Sequence, residues 1–201
     1  RVIIPAGLAC GPGLLIADEP PTALDVTIQG QILDLIAELV EDGGMALLLI
    51  SHDLGVIAEN VQRMLVMYGG TVVESGPTAE VFHHRAHPYT RGLFAARPRL
   101  GAGRTQRLAT IAGRVPELHD LPQGCPFADR CRWVIDACRA APPPAFEIGP
   151  EHAARCIRLE DVRRDAAWAR PCSKCAISPS ATSCREKSSG SPRRWCRRCK
   201  A

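Results

Sequence analysis

A parallel α/β fold is predicted by three features of the first 70 residues. Strand-like and helix-like stretches alternate, the strand-like stretches are unbroken aliphatic runs, and Gly or Pro punctuates the junctions. "GLLIAD" (13–18) reads as a buried strand between Gly-Pro-Gly and Pro-Pro. Ile28, Ile32, Leu35, Ile36 and Leu39 recur at helical spacing and predict an amphipathic helix over about 26–41, with Asp25 as N-cap and Gly43-Gly44 as its end. "MALLLI" (45–50) predicts a second strand, "DLGVIAENV" (53–61) a short helix and "RMLVM" (63–67) a third strand of the same covered sheet. "GGTVVESG" (69–76) turns back as an antiparallel ribbon.

The rest of the chain reads differently. Residues 1–97 are taken as a partial α/β domain, 98–124 as a Pro/Gly/Arg-rich linker, 125–160 as a cysteine-bearing module, and 161–201 as a tail. Within the linker, "RLATIAGRVPEL" can dock as an extended arm. The tail shows neither helical nor strand periodicity and reads as disordered or as an out-of-frame translation.

Composition narrows the function classes. With 46% hydrophobic and 4% aromatic residues the core is aliphatic. The net charge of +4 is concentrated in residues 185–200, which argues against specific nucleic-acid binding. No apolar run is long enough to cross a bilayer and no leader pattern opens the sequence, so any membrane attachment is expected to be indirect.

The chemistry-bearing residues lie at strand ends. The first strand ends in Asp18-Glu19 and the second in Ser51-His52-Asp53. The carboxyl ends of adjacent parallel strands line the ligand crevice of an open α/β sheet, so Asp18, Glu19 and His52 are expected to share one mouth. There Asp18 can hold Mg²⁺, Glu19 can orient and deprotonate a water, and His52 can donate to a terminal phosphoryl group. The three histidines of "FHHRAHPY" (82–89) read as capping and loop packing, since no Cys or acid stands at ligand spacing.

Two segments carry a family resemblance. "LLIADEPPTALDVTIQGQILDLI" resembles the Walker B and D-loop segment of ABC-transporter ATPase domains, and "LLLISHDLGVIAENVQRMLVMYGGTVVESG" resembles their H-loop and following ribbon. "HPYTRGL" (87–93) and "GCPFADRC" are similar to stretches of the ATP-binding subunits of dipeptide/oligopeptide importers. The resemblance covers about residues 1–158 and implies the C-terminal half of a P-loop NTPase domain of the ABC type. By the same carry-over Asp18 is the magnesium-site acid, Glu19 the catalytic carboxylate, His52 the switch histidine, and Asp25 the D-loop acid facing an opposing subunit; Ser51 joins the nucleotide-binding set. It further implies ATP and Mg²⁺, a second ATPase subunit, permease subunits, an indirect link to a periplasmic or extracellular peptide-binding protein, and a peripheral place on the cytoplasmic side of the inner membrane.

The departures are equally specific. No G-x-x-x-x-G-K-[ST] occurs, so neither the nest of backbone N–H groups nor the phosphate-binding lysine is present in these residues. The family's signature Ser-Gly-Gly is missing too. Pro5 stands where the family runs a helix, and Pro21 where it has Thr or Ser. The expectation is a fragment that neither binds nor turns over ATP alone. The alternative reading is a non-catalytic metal- or partner-binding module derived from such a subunit.

Of ten cysteines, nine fall from Cys125 onward. Cys125, Cys131, Cys138 and Cys156 supply four thiolates within one short module, enough for a tetrahedral zinc or an iron–sulfur cluster. The spacing is neither a zinc ribbon nor a ferredoxin run, and it resembles the C-terminal cysteine motif of peptide-importer ATPases, which in some members binds a [4Fe–4S] cluster. The other reading is plain buried thiols among Phe127, Trp133 and Ile135. Cys172-x2-Cys175 and Cys196-x2-Cys199 have zinc-like spacing, but the residues between them offer almost no core.

Overall fold

The computed structural model describes residues 11–20, 26–96 and 110–165. Asp25, the two prolines at 5 and 21, the four-cysteine pattern of Cys172–Cys199 and the tail lie outside the described residues. The chain divides into two compact units, residues 1–64 and 65–201.

The first unit holds β1 (Leu14–Asp18), α1 (Val26–Asp42), β2 (Ala46–Ile50) and α2 (Leu54–Asn60). β1 and β2 pair in parallel, with Leu14 beside Ala46, Ile16 beside Leu48 and Asp18 beside Ile50. The end of α1 follows directly from its glycines. Met45 N–H donates to Val40 O at 3.0 Å, Gly44 N–H donates to Glu41 O at 3.2 Å, and Gly44 takes φ +60°. This is a Schellman closure, which needs a left-handed residue at the position Gly44 holds. α2 is started by Asp53, whose carboxylate accepts from Gly55 N–H at 2.7 Å. Leu33, Ile36, Leu49 and Ile57 are buried in this unit.

The opposite face of the strand pair differs from expectation. Leu14, Ile16, Leu48 and Ile50 alternate with covered neighbours and are between 43% and 59% exposed. The sheet expected to be covered on both faces is therefore covered on one among the described residues. The third strand also goes elsewhere. β3 (Arg63–Tyr68) pairs with β4 (Thr71–Pro77) in a four-stranded sheet of order β3-β4-β6-β5, where β5 is Phe146–Gly149 and β6 His152–Ala154. The cause is local. Gly69 (φ 54°) and Gly70 (φ 75°) both take positive φ, as a two-residue hairpin turn requires, and this returns the chain beside β3. The burial of β3 alternates residue by residue, the pattern of a half-covered antiparallel strand rather than of a parallel core strand.

The second unit continues with α3 (Thr78–His84), α4 (Pro88–Ala95), α5 (Asp136–Ala140) and α6 (Leu159–Arg164). β6 pairs antiparallel with β4 through Glu74–Ala154 and Ser75–Ala153, so residues following Cys125 complete the sheet begun at residue 63. The arm at 110–113 does dock. Arg130 donates from Nε to Ala112 O at 2.8 Å and from Nη2 to Ile111 O at 3.2 Å, and Ile111 sits over Gly92, where an added Cβ would lie 2.8 Å from it.

Candidate functional site: a strand-end dyad and a cysteine cavity

In the first unit the parallel register brings the ends of β1 and β2 level. Glu19 N–H donates to Ile50 O at 2.9 Å, carrying the ladder one residue past Asp18, and Glu19 then turns to φ 44°. A non-glycine residue in that region is costly and is held there only by its surroundings. The turn brings the carboxylate to His52, whose Nδ1–H donates to Glu19 Oε1 at 2.7 Å. The loop that carries His52 is braced on both sides: Ser51 Oγ accepts from Asp53 N–H at 3.1 Å, and Asp53 caps α2. Of the residues expected at this mouth, the structure thus joins Glu19 and His52 directly. Asp18 is one residue away and exposed, and the Ser51 hydroxyl serves the loop.

The Glu19 hydrogen bond and charge raise the His52 pKa above its ordinary value. Because a carboxylate only accepts, Nδ1 carries the shared proton, and the protonated ring offers a second donor at Nε2. Both side chains are largely exposed, so the pair contributes chemistry more than stability.

The second unit holds a buried carboxylate with no local sequence signal. Glu74 on β4 is 1% exposed and accepts from the backbone N–H of Ala86 and of His87, each at 2.9 Å. It also accepts from His152 Nε2–H on β6 at 2.9 Å. Burial by itself raises the carboxyl pKa, but hydrogen bonds from His152, Thr90, His87 and Ala86 outweigh it and leave the group below its ordinary value. The segment "HPYTRGL" follows from this anchor. His87 caps α4, with Nδ1 accepting from Tyr89 N–H at 3.1 Å, and Pro88 takes the first helical position. Tyr89 packs edge-on to Tyr68 at 4.7 Å between ring centroids and lies 5.5 Å from Phe127. Arg91 donates from Nε to Arg85 O at 2.8 Å. Burial pushes the His87 pKa down to about 4, so the ring is neutral. Capping thus accounts for His87. His84, in contrast, has an acid at helical spacing after all, Glu80 at 3.3 Å.

Cys125, Cys131, Cys138 and Cys156 line a single cavity together with His87, Pro88 and Phe127. All four are free thiols. Cys125 N–H donates to Cys138 O at 2.8 Å, and Gly124 permits that approach, since a Cβ there would lie 2.3 Å from the same oxygen. Burial raises the Cys125, Cys131 and Cys156 thiols, Cys131 to about 11 and Cys156 to about 12. Backbone N–H groups oppose the shift: those of Phe127 and Ala128 at Cys125, of Trp133 at Cys131, and of Arg158 at Cys156, the last at 3.3 Å. Among the described residues no three His, Cys, Asp or Glu side chains converge closely enough to hold a metal ion. Four sulfurs around a cavity therefore do not make a closed zinc site.

With both sites in view, the class is a mixed α/β chain that pairs an acid–histidine dyad at parallel strand ends with a cysteine-lined module. Comparison with known proteins assigns it more narrowly. Residues 73–138 match the family model described as the oligopeptide/dipeptide transporter C-terminal region. A putative peptide import ATP-binding protein of Brucella ovis is 52% identical over 167 residues, covering 81% of this chain and 49% of the relative. The oligopeptide transport ATP-binding protein OppD of Mycobacterium tuberculosis is 46% identical over 85% of this chain and 29% of its own length. The dipeptide transport ATP-binding protein DppD of Escherichia coli is 46% identical over 82% and 50% respectively. The chain is thus similar to peptide-import ATP-binding proteins over 81–85% of its own residues, and it spans about half the length, or less, of the curated relatives it matches.

Proposed function

We propose that this chain supplies the hydrolytic side of an ATP site in an ATPase that energises import of dipeptides or oligopeptides. The observation that carries the reading is the 2.7 Å contact between Glu19 and His52 at the ends of adjacent parallel strands. Phosphoryl transfer needs little covalent help and depends on positioning and charge. Glu19 orients the attacking water and accepts its proton. His52, whose pKa Glu19 raises, donates from Nε2 to the terminal phosphoryl oxygen when its ring is protonated. Asp18 offers a hard oxygen ligand for Mg²⁺, which when bound offsets phosphate charge. Asp25 would meet a partner ATPase subunit, and permease subunits would couple closure to transport at the cytoplasmic face of the membrane. Among the described residues no helix is long and apolar enough to cross a membrane.

The phosphate grip is not among the 201 residues, so the chain by itself is expected to show no saturable binding of labelled Mg-ATP at micromolar concentrations. Joined as one polypeptide to the part of the Brucella relative that it does not match, it should hydrolyse ATP. Glu19→Gln should then lower kcat at least a hundredfold, by the scale of a lost general base. A folded, ATP-binding hybrid that is indifferent to this substitution would overturn the assignment.

A second reading rests on a different observation, the four-cysteine cavity. It is compatible with the first and extends it: the second unit binds a [4Fe–4S] cluster through Cys125, Cys131, Cys138 and Cys156. Anaerobic reconstitution with iron and sulfide should give a brown protein with broad visible absorbance, lost in Cys131→Ser. An iron-free product from folded protein sinks this reading.

A further inference from the structure

We infer that Cys125 and Cys138 are a redox modification site, a thiol pair that hydrogen peroxide closes to a reversible disulfide. The inference concerns the chain with its cavity free of any inorganic group, and it stands apart from the cluster reading. It starts from a backbone contact: Cys125 N–H donates to Cys138 O at 2.8 Å. With standard bond lengths this contact holds the two Cα atoms at most about 6.7 Å apart, inside the roughly 4.4–6.8 Å span that disulfides bridge. Gly124 keeps the two backbones this close, since an added Cβ would also lie 2.6 Å from the Arg139 carbonyl carbon. Both side chains are free thiols, both line the same cavity, and both are 9% exposed. Burial first, and then the charge of Cys138, raises the Cys125 thiol, as a neighbouring sulfur should. The Cys156 sulfur is engaged elsewhere, accepting from Arg158 N–H at 3.3 Å.

The chemistry balances with peroxide as the only co-reactant. One sulfur attacks a peroxide oxygen and breaks the O–O bond, which gives a sulfenic acid and one water. The second sulfur attacks the sulfenic sulfur, and the S–S bond forms as the S–O bond breaks. The departing hydroxide takes the second thiol proton and leaves as water. Two thiols lose two electrons in all, and peroxide gains them. The bridge closes the loop of residues 125–138, which carries Arg130 and its bonds to Ala112 O and Ile111 O. Oxidation would therefore staple the loop that clamps the docked arm.

The test treats the full 201-residue chain, freed of iron by a chelator and fully reduced, with hydrogen peroxide. Remaining thiols are alkylated and the tryptic peptides are weighed. Residues 115–130 carry Cys125 and residues 133–139 carry Cys138, so their bridge appears as a linked pair lighter by two hydrogens. In the folded chain this pair should exceed every other pairing of the four cysteines at least about tenfold, and dithiothreitol should release it. The same treatment in guanidinium supplies the contrast. Loop closure there favours short separations, so Cys131 should pair with Cys125 or Cys138 ahead of their pairing with each other. Bridges to Cys131 or Cys156 that dominate in the folded chain, or equal patterns with and without guanidinium, overturn the inference. So does folded protein that peroxide carries to sulfinic acid at Cys125 or Cys138 without any link. Iron uptake in the reconstitution described above is read separately, so the cluster reading can fail while this one holds, and the reverse.

Discussion

Glu19 occupies a backbone conformation that few non-glycine residues adopt, and the reward is visible in what its carboxylate reaches. Raising the His52 pKa is a local effect, so it belongs to this scale. A ¹H–¹⁵N titration should place His52 above 6.5, and Glu19→Gln should return it toward 6.5, because the hydrogen bond and charge of Glu19 are its leading causes. For a group so exposed the pairing is present below the unfolded pKa and is lost as pH rises through the folded one, with little effect on stability. Asp53 acts on the same residue through the backbone. Asp53→Ala should cost about 1 kcal/mol through loss of the α2 cap and loosen the His52 loop, while Asp53→Ser should restore both. Equal His52 titration curves for the Ala and Ser variants would refute that ordering role.

At the level of elements, the joint between β4, α4 and β6 is the point of greatest leverage. Glu74→Ala would leave two backbone N–H groups and His152 without their acceptor in a buried place, and should destabilise the second unit by about 3–5 kcal/mol in denaturant titrations. The same joint predicts acid sensitivity. His87 titrates near 4 in the fold and 6.5 when unfolded, so the unfolded chain takes up a proton first. Stability should fall by about 3 kcal/mol between pH 6.5 and 4. Glu74, whose folded pKa is lowered from 4.5, loses its contribution only as pH drops further, through that lowered value. His87→Asn should flatten the first phase and leave the second. A single acid transition below pH 4 in the native chain would contradict this order.

For the molecule as a whole, the exposed faces matter most. Leu14, Ile16, Leu48 and Ile50 form one apolar surface of the parallel pair, and Leu65 and Met67 on β3 are more than half exposed. Faces of this kind bind dyes and promote association. The chain is expected to be poorly soluble and to bind a hydrophobic dye strongly. The double substitution Ile16→Lys and Leu48→Glu should reduce dye binding and aggregation without unfolding the second unit. Unchanged dye binding in that variant would place the sticky surface elsewhere.

Much of this was legible in the residues themselves. Continuous aliphatic runs, a 3.6-residue period and paired glycines located β1, α1, β2, α2 and the β3–β4 turn within a residue or two, because those signals are local. The Asp-Glu and Ser-His-Asp endings indicated that Glu19 and His52 stand at neighbouring strand ends, since parallel strands of equal length end together. Partners distant in sequence were not legible. That β3 joins β4 and β6 rather than β2, that Glu74 is buried beneath His87 and His152, and that four irregularly spaced cysteines face one cavity with His87 in its wall all depend on contacts across long chain separations. Local periodicity carries no information about such contacts, and only the packing of the folded chain selects them.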